Sequence, residues 1–187
     1  MEVPLFPLNT VLFPGGPLPL RIFEPRYLDM VSRCMKEETP FGVVLIREGA
    51  ETGPATMCDV GTLASIVDWY QGSDGILGVT ALGTERFRLR SATRQDDGLN
   101  IGEVDLIPPP EPVAVPDVHR DLPKVLEAIL DDLGRLYDNV ERSPDDAAWL
   151  AWRFVEILPV DLEEKQRVLE SDDVLASLEF VERVLHK

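Results

Sequence analysis

A run of prolines near the middle of the chain restricts its folding more than any other feature. Ile107-Pro108-Pro109-Pro110-Glu111-Pro112, followed by Pro116, favours extended polyproline geometry and reads as a semi-rigid linker. The patterns on its two sides differ. Short apolar runs separated by glycine and proline precede it, and helical periodicity follows it. The expectation is an α+β chain in two parts, residues 1–110 and residues 116–187. A length of 187 residues suits one large domain or two small ones.

In the first part, Val3–Phe6, Val11–Phe13, Leu18–Phe23, Phe41–Ile46, Asp59–Tyr70, Ile76–Ala81, Glu85–Ser91 and Leu99–Leu106 read as short strands. Gly49, Gly53, Gly72, Gly75, Gly83 and Gly98 lie between them as turn signals. Phe41–Ile46 is continuous and rich in β-branched residues, as a buried strand would be. Glu24-Pro25 looks like a helix start, because proline suits the first helical position. Tyr27, Leu28, Met30, Val31, Cys34 and Met35 then share one apolar face. Many short strands with one inserted helix suggest a small, partly open β-barrel.

In the second part, Leu122 to Val140 carries one continuous helical stripe. Ser143-Pro144-Asp145-Asp146 reads as a capped start for a helix that Pro159 stops after Leu158. Asp161-Leu162-Glu163-Glu164 has the spacing of a capping box, and Ser171-Asp172-Asp173 opens a last helix. Four helices joined by short loops predict a helical bundle.

Charge narrows the function classes. Acids number 34 against 18 bases, a formal net charge of -16. Such a field repels phosphate backbones and anionic membrane surfaces and favours solubility. No stretch approaches the roughly 20 apolar residues that span a bilayer. The N-terminus has no basic segment ahead of an apolar one, so the expected location is the cytoplasm. Cys34 and Cys58 lack the spacing of a zinc or redox motif and read as incidental thiols, although one disulfide between them is conceivable.

Few residues have the pattern of a reactive site. His119 and His186, both near helix ends among charges, do not have metal-ligand spacing, and no G-x-S-x-G elbow exists. Asp131-Asp132, Asp145-Asp146 and Asp172-Asp173 could suggest a divalent metal, but the last two pairs are explained as acids at helix starts. No metal and no cofactor are expected. Two surfaces remain. Trp69-Tyr70 ends an apolar strand before the Gln71–Gly75 loop, and an exposed aromatic pair could grip extended chains; the alternative is one ring buried and the other capping a barrel rim. Arg86-Phe87-Arg88-Leu89-Arg90 alternates, which predicts Phe87 and Leu89 inward and Arg86, Arg88 and Arg90 outward. With Arg94 nearby, those arginines would contact a phosphate or an acidic peptide, or else form a solvated face paired with Glu103 and Asp105. Trp149 and Trp152 read as helix core.

The stretch Pro4-Leu5-Phe6-Pro7-Leu8 through Val11-Leu12-Phe13-Pro14-Gly15 to Leu18-Pro19-Leu20-Arg21-Ile22-Phe23-Glu24-Pro25-Arg26-Tyr27 resembles the opening of the N-terminal, substrate-binding domain of Lon proteases. Later landmarks are similar in the same order: Pro40–Leu45, Val60-Gly61-Thr62-Leu63-Ala64, Gly83–Leu89, and Leu158-Pro159-Val160 followed by Glu163-Glu164-Lys165-Gln166. The resemblance implies a PUA-like pseudo-β-barrel packed on a helical bundle. It also implies a role in recognising unfolded or tagged polypeptides, or one dedicated protein partner. No G-x-x-x-x-G-K-[ST] loop is present, and Lys36, Lys124, Lys165 and Lys187 lie in no peptidase-like segment. The expectation is therefore a stand-alone binding module without ATPase or peptidase chemistry. Two alternatives are an RNA- or nucleotide-binding role through Arg86, Arg88 and Arg90, and a regulator that docks onto a full-length protease. Oligomeric state is open.

Overall fold

The computed structural model describes all residues, Met1–Lys187. Six strands form one sheet: β1 (Glu2–Leu8), β2 (Pro17–Ile22), β3 (Phe41–Gly49), β4 (Ala55–Gln71), β5 (Leu77–Arg94) and β6 (Asn100–Leu106). Helix α1 (Pro25–Glu37) is inserted between β2 and β3. The strand order is β2-β5-β4-β3-β1-β6, and β6 pairs again with β5. That last pairing closes five strands into a ring, with β2 outside it. Only β1 and β3 run parallel among the paired strands.

The interior of the ring is small. Val3, Leu5, Val44, Leu63, Phe87 and Val104 fill it. Phe87 occupies the space beside Gly42 and Gly61, where a Cβ would come within 3.0 Å and 2.6 Å of its ring. Outside the ring, α1 lays Tyr27, Met30, Val31 and Cys34 on Phe41, Val43, Ala64, Val79 and Ala81. The unbroken apolar run of β3 follows from this: Val44 points into the ring, Val43 meets α1, and Leu45 meets the helical part.

After Leu106 the chain runs extended through the prolines and is fastened along the way. The Pro108 carbonyl accepts from Arg86, and the Val113 carbonyl accepts from the Ala147 N–H. Helices α2 (Leu122–Leu133), α3 (Ala147–Ile157), α4 (Leu162–Glu170) and α5 (Val174–Leu185) follow, and α3 packs against the other three. Val11, Phe13, Leu45, Cys58 and Val60 share one apolar cluster with these helices. Full burial of each such aliphatic or aromatic side chain contributes about 1.5–3 kcal/mol.

Several local expectations change. Val11–Phe13 is not a strand; it is buried coil held on β5, where the Gly15 N–H donates to the Gly83 carbonyl and the Gly83 N–H donates to the Gly16 carbonyl. Gly83 is therefore not a turn. It lies inside β5, and a Cβ there would strike the Phe13 carbonyl. The stripe from Leu122 to Val140 breaks at Gly134, which takes φ 58° and ends α2 at Leu133. Helix α3 is capped by Asp146, whose carboxylate accepts from the Trp149 N–H at 3.3 Å, and not by Ser143. Asp161 makes no side-chain cap.

Two buried arginines cross the seam between the strands and the helices in opposite directions. Arg153 on α3 is wholly buried, donates to the Pro14 carbonyl at 2.8 Å, and pairs with Glu156 at 3.0 Å. The Tyr137 hydroxyl donates to the same Glu156 carboxylate at 2.7 Å, and the Lys165 ammonium donates to the Glu156 carbonyl at 3.0 Å. Burial pushes the Glu156 carboxyl up, against the opposing pull of Arg153. Gly15 takes φ 79° beside Arg153, where a Cβ would lie 2.7 Å from Nη1. From the other side, Arg86 on β5 donates to the Leu169 carbonyl at 3.0 Å and pairs with Asp172 at 2.6 Å. Gln166 on α4 donates to the Val60 carbonyl at 2.9 Å.

Candidate functional site: an open strand edge

Strand β3 begins at Phe41, opposite Ala64 of β4. Strand β4 continues beyond that point, and Ser65–Gln71 has β5 as its only strand partner. Strand β2 pairs with the same stretch of β5, Leu77–Leu82. The result is a three-stranded wing, β4-β5-β2, projecting from the ring with an unpaired edge on each side.

The two edges differ chemically. Pro17 and Pro19 remove two donors from β2, a common way to blunt an edge. The β4 edge contains no proline. Its Trp69 N–H is held by the neighbouring Asp68 carboxylate at 2.9 Å. At the tip, Gly72 and Gly75 form the turn, and Arg21 pairs with Asp74.

Trp69 and Tyr70 are both exposed, at 58% and 52%, so neither ring is buried. They occupy opposite faces of the wing, because neighbours alternate along a strand. Tyr70 sits opposite Gly78 and covers it with its ring. Trp69 sits opposite Val79, on the side that α1 covers. There it lines a groove of about 520 Å³ between the end of α1 and the β4 edge, with Met35, Glu38, Thr39 and Ile66. Glu38 ends α1 at φ 55°, the only non-glycine residue with positive φ.

A second groove, of about 380 Å³, lies beside β2. Leu18, Leu20 and Phe23 line it with the stacked rings of Phe6 and Tyr27, whose centroids are 3.9 Å apart. Arg26 backs Tyr27 at 4.6 Å from its ring centre and donates to the Gly98 carbonyl at 2.7 Å. Phe23, which is 59% exposed, has no separate signal in the sequence beyond ending an apolar run.

The arginines do not form one surface. Arg86 is 2% exposed, contrary to the outward position predicted by strand alternation. It does point away from the ring interior, but the helical part covers that face. Phe87 is inward as expected, and Leu89 is half-buried. Arg88 and Arg90 are exposed; Arg90 pairs with Asp105, while Glu103 takes the N-terminal ammonium at 2.7 Å.

Several of the remaining polar residues have partners within the protein. His119 and His186 flank Glu182 at 3.0 Å and 2.9 Å. The His119 hydrogen bond is the main reason the Glu182 carboxyl lies below the usual range. Asp131 pairs with Arg142, and Asp173 caps α5 through the Ala176 N–H. No three His, Cys, Asp or Glu side chains are grouped to hold a metal ion. Cys34 and Cys58 are free and buried, and burial pushes both thiols up. No helix is long and apolar enough to cross a membrane.

The profile of the ATP-dependent protease La (LON) substrate-binding domain matches residues 2–187. The chain belongs to this family. It is 36% identical to a Lon N-terminal domain protein from Xanthomonas campestris, with TM-score 0.79, covering 97% of this chain and 96% of that one. The N-terminal domain of a Mycobacterium avium complex Lon protease, at 17% identity and TM-score 0.67, shares the fold over 98% of this chain and 97% of that one. Among full-length relatives, Lon protease 2 of Myxococcus xanthus is 26% identical over 99% of this chain and 23% of its own length. Protein cereblon of Danio rerio is 28% identical over 66% of this chain and 31% of its own. The chain thus spans about a quarter of the Lon proteases it matches. The matched region is their substrate-binding domain, not their catalytic part.

Proposed function

We propose that this protein is a non-enzymatic, cytoplasmic polypeptide-binding module, a PUA-like barrel on a helical bundle. It receives an extended segment of an unfolded client, or of one dedicated partner, at the wing. The observation that carries this reading is the unpaired, proline-free edge Ser65–Gln71 beside the groove that Trp69 lines. An exposed strand edge supplies main-chain hydrogen bonds to an incoming chain, and an adjoining groove supplies side-chain pockets. Membership of a substrate-binding family supports it. The seam between strands and helices is a poor alternative, because a continuous apolar cluster fills it.

The test is binding of reduced, carbamidomethylated lysozyme as a permanently unfolded client, followed by calorimetry. The variant Trp69→Ala/Tyr70→Ala is expected to bind at least about tenfold more weakly, in line with aromatic hot spots, with an unchanged circular dichroism spectrum. Undiminished binding would place the site elsewhere.

A further inference from the structure

We infer that the β4 edge selects cationic segments: an apolar residue seated between Met35 and Trp69, flanked by lysine or arginine. This rests on the polypeptide-binding reading and adds the chemistry of the client. Glu38 lines the groove on the α1 side, Asp68 stands at its rim on the strand edge, opposite Thr80 and on the other face from Trp69, and no lysine or arginine lines it. Glu38 has no hydrogen bond or ion pair to its side chain, which leaves its charge free for an incoming cation. The net charge of -16 adds attraction at long range.

Strand addition couples to this charge. In the free protein the Asp68 carboxylate holds the Trp69 N–H. An incoming strand offers that N–H a main-chain carbonyl instead. Asp68 is then released and can pair with a lysine or arginine of the same strand. The β2 edge, with Pro17 and Pro19, offers no equivalent exchange.

The test uses fluorescence anisotropy with two eight-residue probes, one alternating phenylalanine or valine with lysine, the other with glutamate in place of lysine. The lysine peptide is expected to bind about tenfold tighter at low salt, as two exposed ion pairs against two repulsions would give. In Glu38→Gln/Asp68→Asn, which keeps an acceptor for the Trp69 N–H, that preference should shrink to within about twofold. N-methylation of alternate amides in the lysine peptide should abolish binding. Equal affinity for the two peptides in the parent protein, or a preference that survives in Glu38→Gln/Asp68→Asn, overturns charge selection. Full binding of the N-methylated peptide overturns strand addition. Either failure leaves the binding module standing if Trp69→Ala/Tyr70→Ala still loses the unfolded client, so the two readings fail separately.

Discussion

The seam and the wing treat polar groups in opposite ways. At the seam, cations are buried and bonded: Arg153 reaches the Pro14 carbonyl and Arg86 reaches the end of α4. At the wing, the side of Ser65–Gln71 that faces away from β5 has no strand partner, and large rings stand in water. Arg153 uses Nη2 alone for its bonds to Pro14 and Glu156, while its buried Nε and Nη1 have no partner, so the Glu156 carboxylate is the main compensation for this buried cation. Unpaired strand edges are a hazard that proteins usually blunt. Here the β2 edge is blunted by Pro17 and Pro19, whereas the β4 edge has no proline and carries only a register shift between Ile66 and Asp68 and the Asp68 carboxylate on its Trp69 N–H, so it is the more open of the two.

The sharpest way to break the contrast is at Arg153. Arg153→Met leaves Glu156 buried without its cation and should cost about 3–5 kcal/mol of unfolding free energy in urea titration. Adding Glu156→Leu should recover part of that loss, because an apolar pair can replace a buried ion pair at little cost. Arg86→Met comes next. It strands the Leu169 and Pro108 carbonyls and should cost about 1–3 kcal/mol by the same measurement. A smaller effect is expected at Glu182, at the margin of the helical part. Its folded pKa is depressed, so its contribution is present above the ordinary carboxylate range and is lost as pH falls through the lowered value. Glu182→Gln should therefore lower the melting temperature near neutral pH, by the equivalent of about 0.5–1 kcal/mol, and the gap should close on acidification. Smallest of all is Trp69→Ala, which should shift unfolding by no more than about 0.5 kcal/mol while weakening client binding. A large loss of stability there would make Trp69 a structural residue and erase the distinction between the regions.

Features governed by neighbours in sequence were legible beforehand. Pro25 marks the start of α1, the apolar run of β3 is a buried strand, and the proline cluster separates strands from helices. Features governed by distant partners were not. An arginine in an alternating strand has the same pattern whether water or a second layer covers it, so Arg86 looked like surface. Gly83 looked like a turn because the coil that approaches it comes from residues 13–16. The exposure of Trp69 and Tyr70 was foreseeable as one alternative, but their separation onto opposite faces depends on register with Val79 and Gly78. Nothing local identified Glu38, whose place in the groove depends on β4 running on beyond the start of β3.

The reach of Arg153 also sets an order of events during synthesis. Its carbonyl partner at Pro14 lies 139 residues earlier in the chain. At ordinary translation speeds roughly 7–28 s separate the two. Through that interval the Phe13–Gly16 coil can meet β5 but not the helix that covers it, so Phe13 lacks the helical share of its final neighbours. Whatever protects the nascent chain must do so until α3 leaves the ribosome.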